Sequence, residues 1–346
     1  MSTATDETPA GSNGERTPAG APCRVPWRAR NARLIEGAML PAAFALLVLG
    51  FGIDSPNTFL TIGNFSNIFG SQAVLFVLTM ALLVPLTNGD IDLSVGAISG
   101  LVTMIIAVLN VQDGIPIVYC CLIGLASGTL MGWVNGQIVI RFDVNPFIIT
   151  LGTGYVFTGI GEWLSGEQTI VGVSPNLSNW TFTNQFLRIP LEFYYGLGVM
   201  LVLWYVLTFT PFGQRALFVG ESREVARLSG FRVSSIRLQG FVIAGFIAAI
   251  SGILYAGTNG SASPDTGTGL LLPAYAAAFL GLTTIQPGRF NAIGAGIALY
   301  FLATGVSGLE LLGAQNYVQE LFYGAVLVIA VVISRLVSRH RAAIKT

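Results

Sequence analysis

The stretch Val84–Gly96, VPLTNGDIDLSVG, lies between two apolar runs and places two aspartates, a proline and two glycines there. The preceding run, residues 73–86, would form a helix only about 21 Å long at 1.5 Å per residue, which is shorter than the ~30 Å hydrocarbon core of a bilayer. We expect Pro85 and Gly89 to interrupt this helix and one of the aspartates to cap the next helix. Segments interrupted by glycine and proline indicate a permeation pathway, because bare backbone is tolerated inside a membrane only where it lines a cavity.

The sequence leaves two interpretations of Asp90 and Asp92 open. An aspartate at the centre of a bilayer costs ~2.5–3.5 kcal/mol on insertion scales, so a place at that depth would imply a function. Alternatively, the helix begins earlier, near Phe65, and the stretch is a turn at the cytoplasmic surface. In that case the two aspartates are solvated helix caps.

The composition indicates an all-α polytopic membrane protein. Of 346 residues, 53% are hydrophobic and 10% charged, whereas soluble domains have about 25% charged residues. Most of the apolar stretches approach the ~20 residues that cross a bilayer, so we predict about ten transmembrane helices, some of them discontinuous. The stretches are 37–53, 71–88, 91–109, 115–134, 146–164, 193–210, 237–257, 269–285, 291–307 and 317–334.

The arginines predict the orientation of these spans. If ten spans alternate, nearly all the basic residues fall on one side, and the positive-inside rule makes that side the cytoplasm. These residues are Arg16, Arg24, Arg28, Arg30, Arg33, Arg141, Arg215, Arg223, Arg227, Arg232, Arg237, Arg289, Arg335, Arg339, Arg341 and Lys345. Both termini are therefore predicted to be cytoplasmic, and Arg188 is the basic residue left outside. A nine- or eleven-span count would place the C-terminal cluster outside.

The chain is predicted to contain one membrane domain between two tails. Residues 1–33 are rich in Ser, Thr, Pro, Gly and Arg and have too little apolar surface to fold, so we predict a disordered cytoplasmic tail. Residues 34–335 form the membrane domain, with a cytoplasmic loop at 211–236. Residues 336–346 form a second cytoplasmic tail.

The scarcity of lysine and histidine excludes several kinds of catalytic site. Lys345 is the sole lysine and His340 the sole histidine. No Walker A loop, which needs a glycine-rich segment ending in Lys-Ser/Thr, can be formed. A histidine metal site or a Ser-His-Asp triad within the membrane is also excluded. We therefore predict a non-catalytic chain without metal or cofactor, and any ATP hydrolysis belongs to another chain.

Four segments resemble a known family. The first, Ile91–Gly96 (IDLSVG), resembles the GIDLSVG signature of sugar-type permeases of ATP-binding cassette (ABC) importers, such as those for ribose, xylose and arabinose. Asn145–Thr153 (NPFIITLGT) is similar to their PFI-TLGT segment. Thr210–Arg215 (TPFGQR) and Ala226–Gly230 (ARLSG) resemble two further pieces, in the same order and spacing.

The resemblance implies a place for the solute pathway. It puts Asp92 at the family's motif and hence near the path of the solute, although this chain has Gly89-Asp90 where the family usually has Gly-Gly. We take as candidate pathway residues Asp90, Asp92, Ser94, Asn145, Phe147 and Thr150.

The resemblance also implies that the cytoplasmic loop contains a helix that docks on the ATPase. Between Gly220 and Gly230 the chain has acidic residues first and Arg227 later, the order that a helix dipole favours. A helix of two turns is not stable alone in water and has to lie against something. The candidate coupling residues are Glu221, Arg223, Glu224 and Arg227. Without the resemblance, a solvated loop would explain the same residues.

The sequence therefore predicts the permease subunit of an ABC importer for a monosaccharide or a related polyol, located in a bacterial inner membrane. The expected partners are cytoplasmic ATP-binding cassette subunits, a periplasmic or extracellular sugar-binding protein, a second permease copy and the lipid bilayer, and no nucleic acid. One alternative is an ion-coupled secondary transporter, in which Asp90, Asp92, Glu162 and Glu320 would bind protons or sodium. The other is a branched-chain amino-acid permease of the same superfamily.

Overall fold

The computed structural model describes the backbone of residues 27–344 and the side chains of residues 37–315 and 317–332. This part of the chain is almost entirely helical. Its α-helices are α1 (Trp27–Asp54), α2 (Pro56–Phe59), α3 (Ile62–Ser71), α4 (Ala73–Thr87), α5 (Val95–Ala107), α6 (Ile117–Arg141), α7 (Pro146–Ser165), α8 (Pro175–Ser178), α9 (Leu191–Phe209), α10 (Pro211–Glu221), α11 (Arg223–Leu228), α12 (Val233–Asn259), α13 (Thr268–Gly281), α14 (Ala292–Leu311) and α15 (Asn316–Ile344). Two π-helical turns, Val108–Gln112 and Asn179–Thr183, continue α5 and α8.

The helices confirm a polytopic membrane protein. Within the described chain, six are long and apolar enough to cross a bilayer, and a seventh crossing results if the bent pair α3 and α4 forms one span. The six are Gly37–Asp54, Val95–Gln112, Ile117–Arg141, Leu191–Phe209, Val233–Asn259 and Ala292–Leu311. Two shorter apolar helices are Thr268–Gly281 and Tyr317–Val332. Each of the ten predicted stretches overlaps a helix.

The helical boundaries differ from the predicted tails. Helix α1 begins at Trp27, so it includes the last residues of the predicted disordered tail. The reason is that residues 27–36 contain neither proline nor an internal glycine and are rich in Arg and Ala, which are good helix formers. At the other end α15 continues to Ile344. The rest of the predicted N-terminal tail, residues 1–26, lies outside the described part of the chain.

Helix α12 occupies the centre of the bundle and packs against α4, α5 and α6. The contact with α6 depends on glycines, because a Cβ atom on Gly132 would collide with the Phe241 carbonyl and one on Gly245 with the Gly128 carbonyl. Four-residue glycine spacing is typical of such close packing between membrane helices, and along α6 it is formed by Gly124, Gly128, Gly132 and Gly136.

The loops gather at the two ends of the bundle. At one end, α10 and α11 lie beside the end of α4 and the start of α12. At the other end, β1 (Ile170–Val171) pairs antiparallel with β4 (Ser261–Ala262), and β2 (Gln185–Phe186) with β3 (Ile189–Pro190). Most of the arginines predicted to be cytoplasmic in the loops, including Arg223, Arg237 and Arg289, lie at the first end.

Candidate functional site

The site is built on a non-helical link, residues 88–94, between α4 and α5. Helix α4 includes Pro85 and ends at Thr87, so the helix passes the proline that was expected to interrupt it. The break comes at Gly89, whose φ of +75° is readily accessible to glycine alone. The helix that leads into the link does begin earlier than residue 73, as α3, and is bent by 42° before α4.

Both aspartates of the link are fully buried. The interpretation of the aspartates as solvated caps is wrong, because neighbouring helices enclose them. An apolar helix does begin before residue 73, but it is the separate helix α3 rather than a continuous extension of α4. Ser94 in the link bonds to Asn135, which lies less than two turns from the end of α6 at Arg141. The link thus reaches inward from that end of the bundle.

Side chains of other helices satisfy the backbone of the link. The Leu93 N–H donates to Thr150 Oγ1 on α7 over 3.0 Å. The Tyr275 hydroxyl on α13 donates to the Asp92 carbonyl over 2.9 Å. Irregular backbone inside a membrane requires such partners, so α7 and α13 hold the link in place.

Asp92 and Ser94 form a buried polar cluster with Asn135. Asp92 Oδ1 accepts from the Ser94 backbone N–H over 2.9 Å and from the Ser94 hydroxyl. Asp92 was expected as a possible cap of the next helix, but the N-cap residue of α5 is Ser94, and among the described residues no side chain accepts from the first N–H groups of that helix. Asn135 Nδ2 donates to Ser94 Oγ over 2.7 Å.

Two oxygens of this cluster, Asp92 Oδ2 and Asn135 Oδ1, have no hydrogen-bond donor among the described residues. Leaving a buried acceptor without a donor costs about 1–3 kcal/mol. Both oxygens are fully buried, and within the described chain they are the unsatisfied acceptors of the cluster.

Asp90 has a different environment from Asp92. Arg237, in the first turns of α12, binds both carboxylate oxygens, with Nε–Oδ2 at 2.9 Å and Nη2–Oδ1 at 2.8 Å. Arg223 of α11 donates to Oδ1 over 2.7 Å and to the Gly89 carbonyl over 2.9 Å. The Asp90 carboxylate thus accepts three hydrogen bonds from two guanidinium groups, and both of its oxygens have a charged partner.

The structure divides the predicted pathway residues. It brings Asp92, Ser94 and Thr150 together. Asn145 instead caps α7 by accepting from the Phe147 N–H over 3.0 Å, and both side chains lie at the exposed start of that helix.

Three residues of the site were missed by the sequence reasoning, namely Asn135, Tyr275 and Arg237. A lone asparagine inside an apolar span is a signal that could have found the first. The other two are identified by the fold, which brings α12 and α13 to the link.

The predicted coupling helix exists as α11. The Ser222 side chain caps it by accepting from the Val225 N–H. Ala226 is buried beneath it, whereas Val225 is 49% and Leu228 79% exposed. A helix with an exposed apolar face at the end of a bundle is suited to docking.

Of the charged coupling residues predicted around α11, two contact an oppositely charged side chain among the described residues and two do not. Arg223 points inward to Asp90. Glu221 forms a long contact of 3.8 Å with Arg289 before α14. Glu224 and Arg227 are exposed, and neither belongs to an ion pair in the described part of the chain.

Comparisons with known proteins give a consistent result. Residues 59–331 match the family described as "Branched-chain amino acid transport system / permease component". The chain is 32% identical over 295 residues to the D-allose transport system permease protein AlsC of Escherichia coli strain K12, covering 85% of this chain and 90% of that protein. It is 32% identical over 274 residues to the autoinducer 2 import system permease protein LsrD of E. coli strain K12 and of Shigella flexneri, covering 78% of this chain and 82% of those proteins. No solved structure matches the chain.

Proposed function

Since this chain belongs to the family of transport-system permease components, we propose that it is the membrane subunit of an ABC importer that moves a monosaccharide or a related polyol into the cell. The observation that carries this function is the extent of the similarity. The D-allose permease is similar over 85% of the chain, and the family match includes both the link and the cytoplasmic loop.

The chain crosses a bacterial inner membrane ten times, with both termini in the cytoplasm. The ten spans are α1, the bent pair α3 and α4, and α5, α6, α7, α9, α12, α13, α14 and α15. This arrangement places the arginine-rich end of the bundle in the cytoplasm, as the positive-inside rule requires. Helix α13 is shorter than a full span, and Gly267, which precedes it, packs against Gly96.

The solute passes the cluster of Asp92, Ser94 and Asn135. The free acceptors Asp92 Oδ2 and Asn135 Oδ1 suit a neutral solute that carries several hydroxyl groups, because each hydroxyl can donate a hydrogen bond. Thr150 fixes the link against α7. Asn145 and Phe147 lie at the cytoplasmic mouth of the same path, where α7 begins.

A separate ATP-binding cassette subunit docks on α11. Val225 and Leu228 supply an exposed apolar face, and Glu224 and Arg227 supply charges beside it, while Glu221 marks the end of α10. Closure of the ATPases would press on this helix and switch the side of the membrane to which the pathway is open. The permease itself performs no chemistry on the solute.

Two further partners complete the importer. A soluble receptor meets the opposite end of the bundle, where Trp180, Phe182 and Phe186 are exposed and supply an aromatic surface of the kind enriched at interfaces. A second permease, identical or homologous, encloses the pathway together with this chain.

The test is uptake into proteoliposomes that contain the permease together with a candidate ATP-binding cassette subunit and a candidate solute receptor. We expect accumulation of the solute that the receptor binds, only with ATP inside. D-allose and autoinducer 2, the solutes named for the relatives, are the first to test, together with a branched-chain amino acid because of the family description. Uptake by the purified permease alone, following a proton or sodium gradient, would instead identify a secondary transporter.

A further inference from the structure

Three segments of the protein meet at the carboxylate of Asp90. The first is the link itself, two residues before Asp92. The second is the start of α12, where Arg237 binds both carboxylate oxygens. The third is α11, where Arg223 binds Oδ1 and the Gly89 carbonyl. A single buried side chain therefore joins the exposed cytoplasmic helix to the polar cluster.

The two arginines differ in how readily they can be released. The side chain of Arg237 is 7% exposed and that of Arg223 is 42% exposed. Removal of Arg237 would strip a fully buried carboxylate of its bidentate partner, which is strongly unfavourable. Removal of Arg223 leaves that bidentate pair intact and moves a side chain that already contacts solvent.

The contact lies against a tightly packed joint. Gly220 of α10 is pressed against the Thr87 carbonyl at the end of α4, where a Cβ atom would collide. The Cβ position of Gly89 is 3.5 Å from the Cα of Gly220. There is thus little space in which α10 and α11 can shift without either moving the link or breaking the contact between Arg223 and Asp90.

We propose that Arg223 is a positioning residue that holds the α4–α5 link closed through Asp90, and that its release, while Arg237 stays bound, is the step by which movement of α11 reaches Asp92 and Ser94. This inference rests on the proposed function and adds to it the residue pair that transmits the movement.

The experiment compares Arg223→Gln with wild type and with Arg232→Gln in the reconstituted importer. Arg232 is a matched control because it is an exposed arginine in the same loop without an ion pair among the described residues. Three quantities are measured for each: ATP hydrolysis with and without solute-loaded receptor, solute moved per ATP hydrolysed, and recovery of the ATPase on co-purification.

For Arg223→Gln we expect ATP hydrolysis that no longer requires the receptor. Solute moved per ATP should fall about fivefold or more, the lower end of the usual range for coupling between two sites. Recovery of the ATPase should be unchanged, and Arg232→Gln should behave as wild type. Arg223→Lys, which retains the charge, should restore most of the coupling.

Three results would overturn the inference. The first is an unchanged amount of solute moved per ATP in Arg223→Gln. The second is loss of the ATPase from that variant on co-purification, which would make Arg223 a docking contact. The third is coupling in Arg223→Lys that is no better than in Arg223→Gln. A failure of the wild-type importer to couple ATP to uptake would count against the proposed function instead, so the two failures are distinguishable.

Discussion

At the scale of single residues, Asp90 and Asp92 show how neighbours two positions apart acquire different roles. Both are fully buried, yet Asp90 is neutralised by two arginines and Asp92 is bound by neutral groups of Ser94. The sequence predicted that the pair was unusual but could not separate its members. The partners of Asp90 are more than 130 residues away along the chain, and only the fold brings them near.

Substitution of Asp92 tests the pathway. We expect Asp92→Ala to abolish uptake, because it removes the free acceptor Oδ2 that suits a solute hydroxyl. The complex should still assemble, since the link keeps its bonds to Thr150 and Tyr275, the latter through the backbone carbonyl. Radiolabelled uptake and co-purification measure the two effects. Wild-type uptake rates in this variant would limit Asp92 to a structural role in the link.

Substitution of Arg237 tests the buried ion pair. Arg237→Leu leaves the buried Asp90 carboxylate with Arg223 alone, which contacts only Oδ1. Complete loss of a buried charge's partner costs about 3–5 kcal/mol, so this partial loss should lower the Tm in detergent and the yield of folded protein. The double variant Asp90→Gly with Arg237→Leu removes both charges and should recover much of the loss. Equal Tm values for the single variant and wild type would contradict the pairing.

At the scale of elements, the sequence predicted the interruption between α4 and α5 but not its form. The motif residues indicate a break, and Gly89 supplies one. Pro85 was expected to interrupt the helix, but α4 continues for two residues beyond it to Thr87. The proline removes the hydrogen bond that its own N–H would make to residue 81 without ending the helix. The bend between α3 and α4 is centred on Gln72 and directly follows Gly70-Ser71. Such a glycine–serine pair is typical of helix kinks, and the sequence reasoning did not use it.

The short helix α11 was easier to predict, because its residues are local. Ser222 caps it, and its charges follow the dipole order. We expect Glu224→Arg and Arg227→Glu each to lower recovery of the ATPase on co-purification, since both charges are exposed beside the apolar face. Arg215→Gln, a change in α10, is the control. Unchanged recovery in both α11 variants would argue against docking at this helix.

At the scale of the whole molecule, charge and packing agree on one polarity. The arginines indicate the cytoplasmic end from sequence alone, and the contact of Glu221 with Arg289 places the α13–α14 connection at that end too. The sequence predicted a span at 269–285, but helix α13 has only 14 residues and is shorter than a full crossing. Gly267, just before it, packs beside Gly96, and its end leads to Arg289.

This polarity predicts which loops an impermeant thiol reagent can reach. In a variant without Cys23, Cys120 and Cys121, a cysteine in place of Gln185 should be labelled from outside intact cells. A cysteine in place of Gln286, after α13, should react only when the membrane is permeabilised, because the ten-span arrangement places it with the arginine-rich end. Labelling of Gln286→Cys in intact cells would show that α13 turns back to the outer surface, and the C-terminal arginines would then lie outside as well. The positive-inside pattern and the packing at Arg289 would then indicate different orientations, and the proposed orientation of the whole chain rests on both.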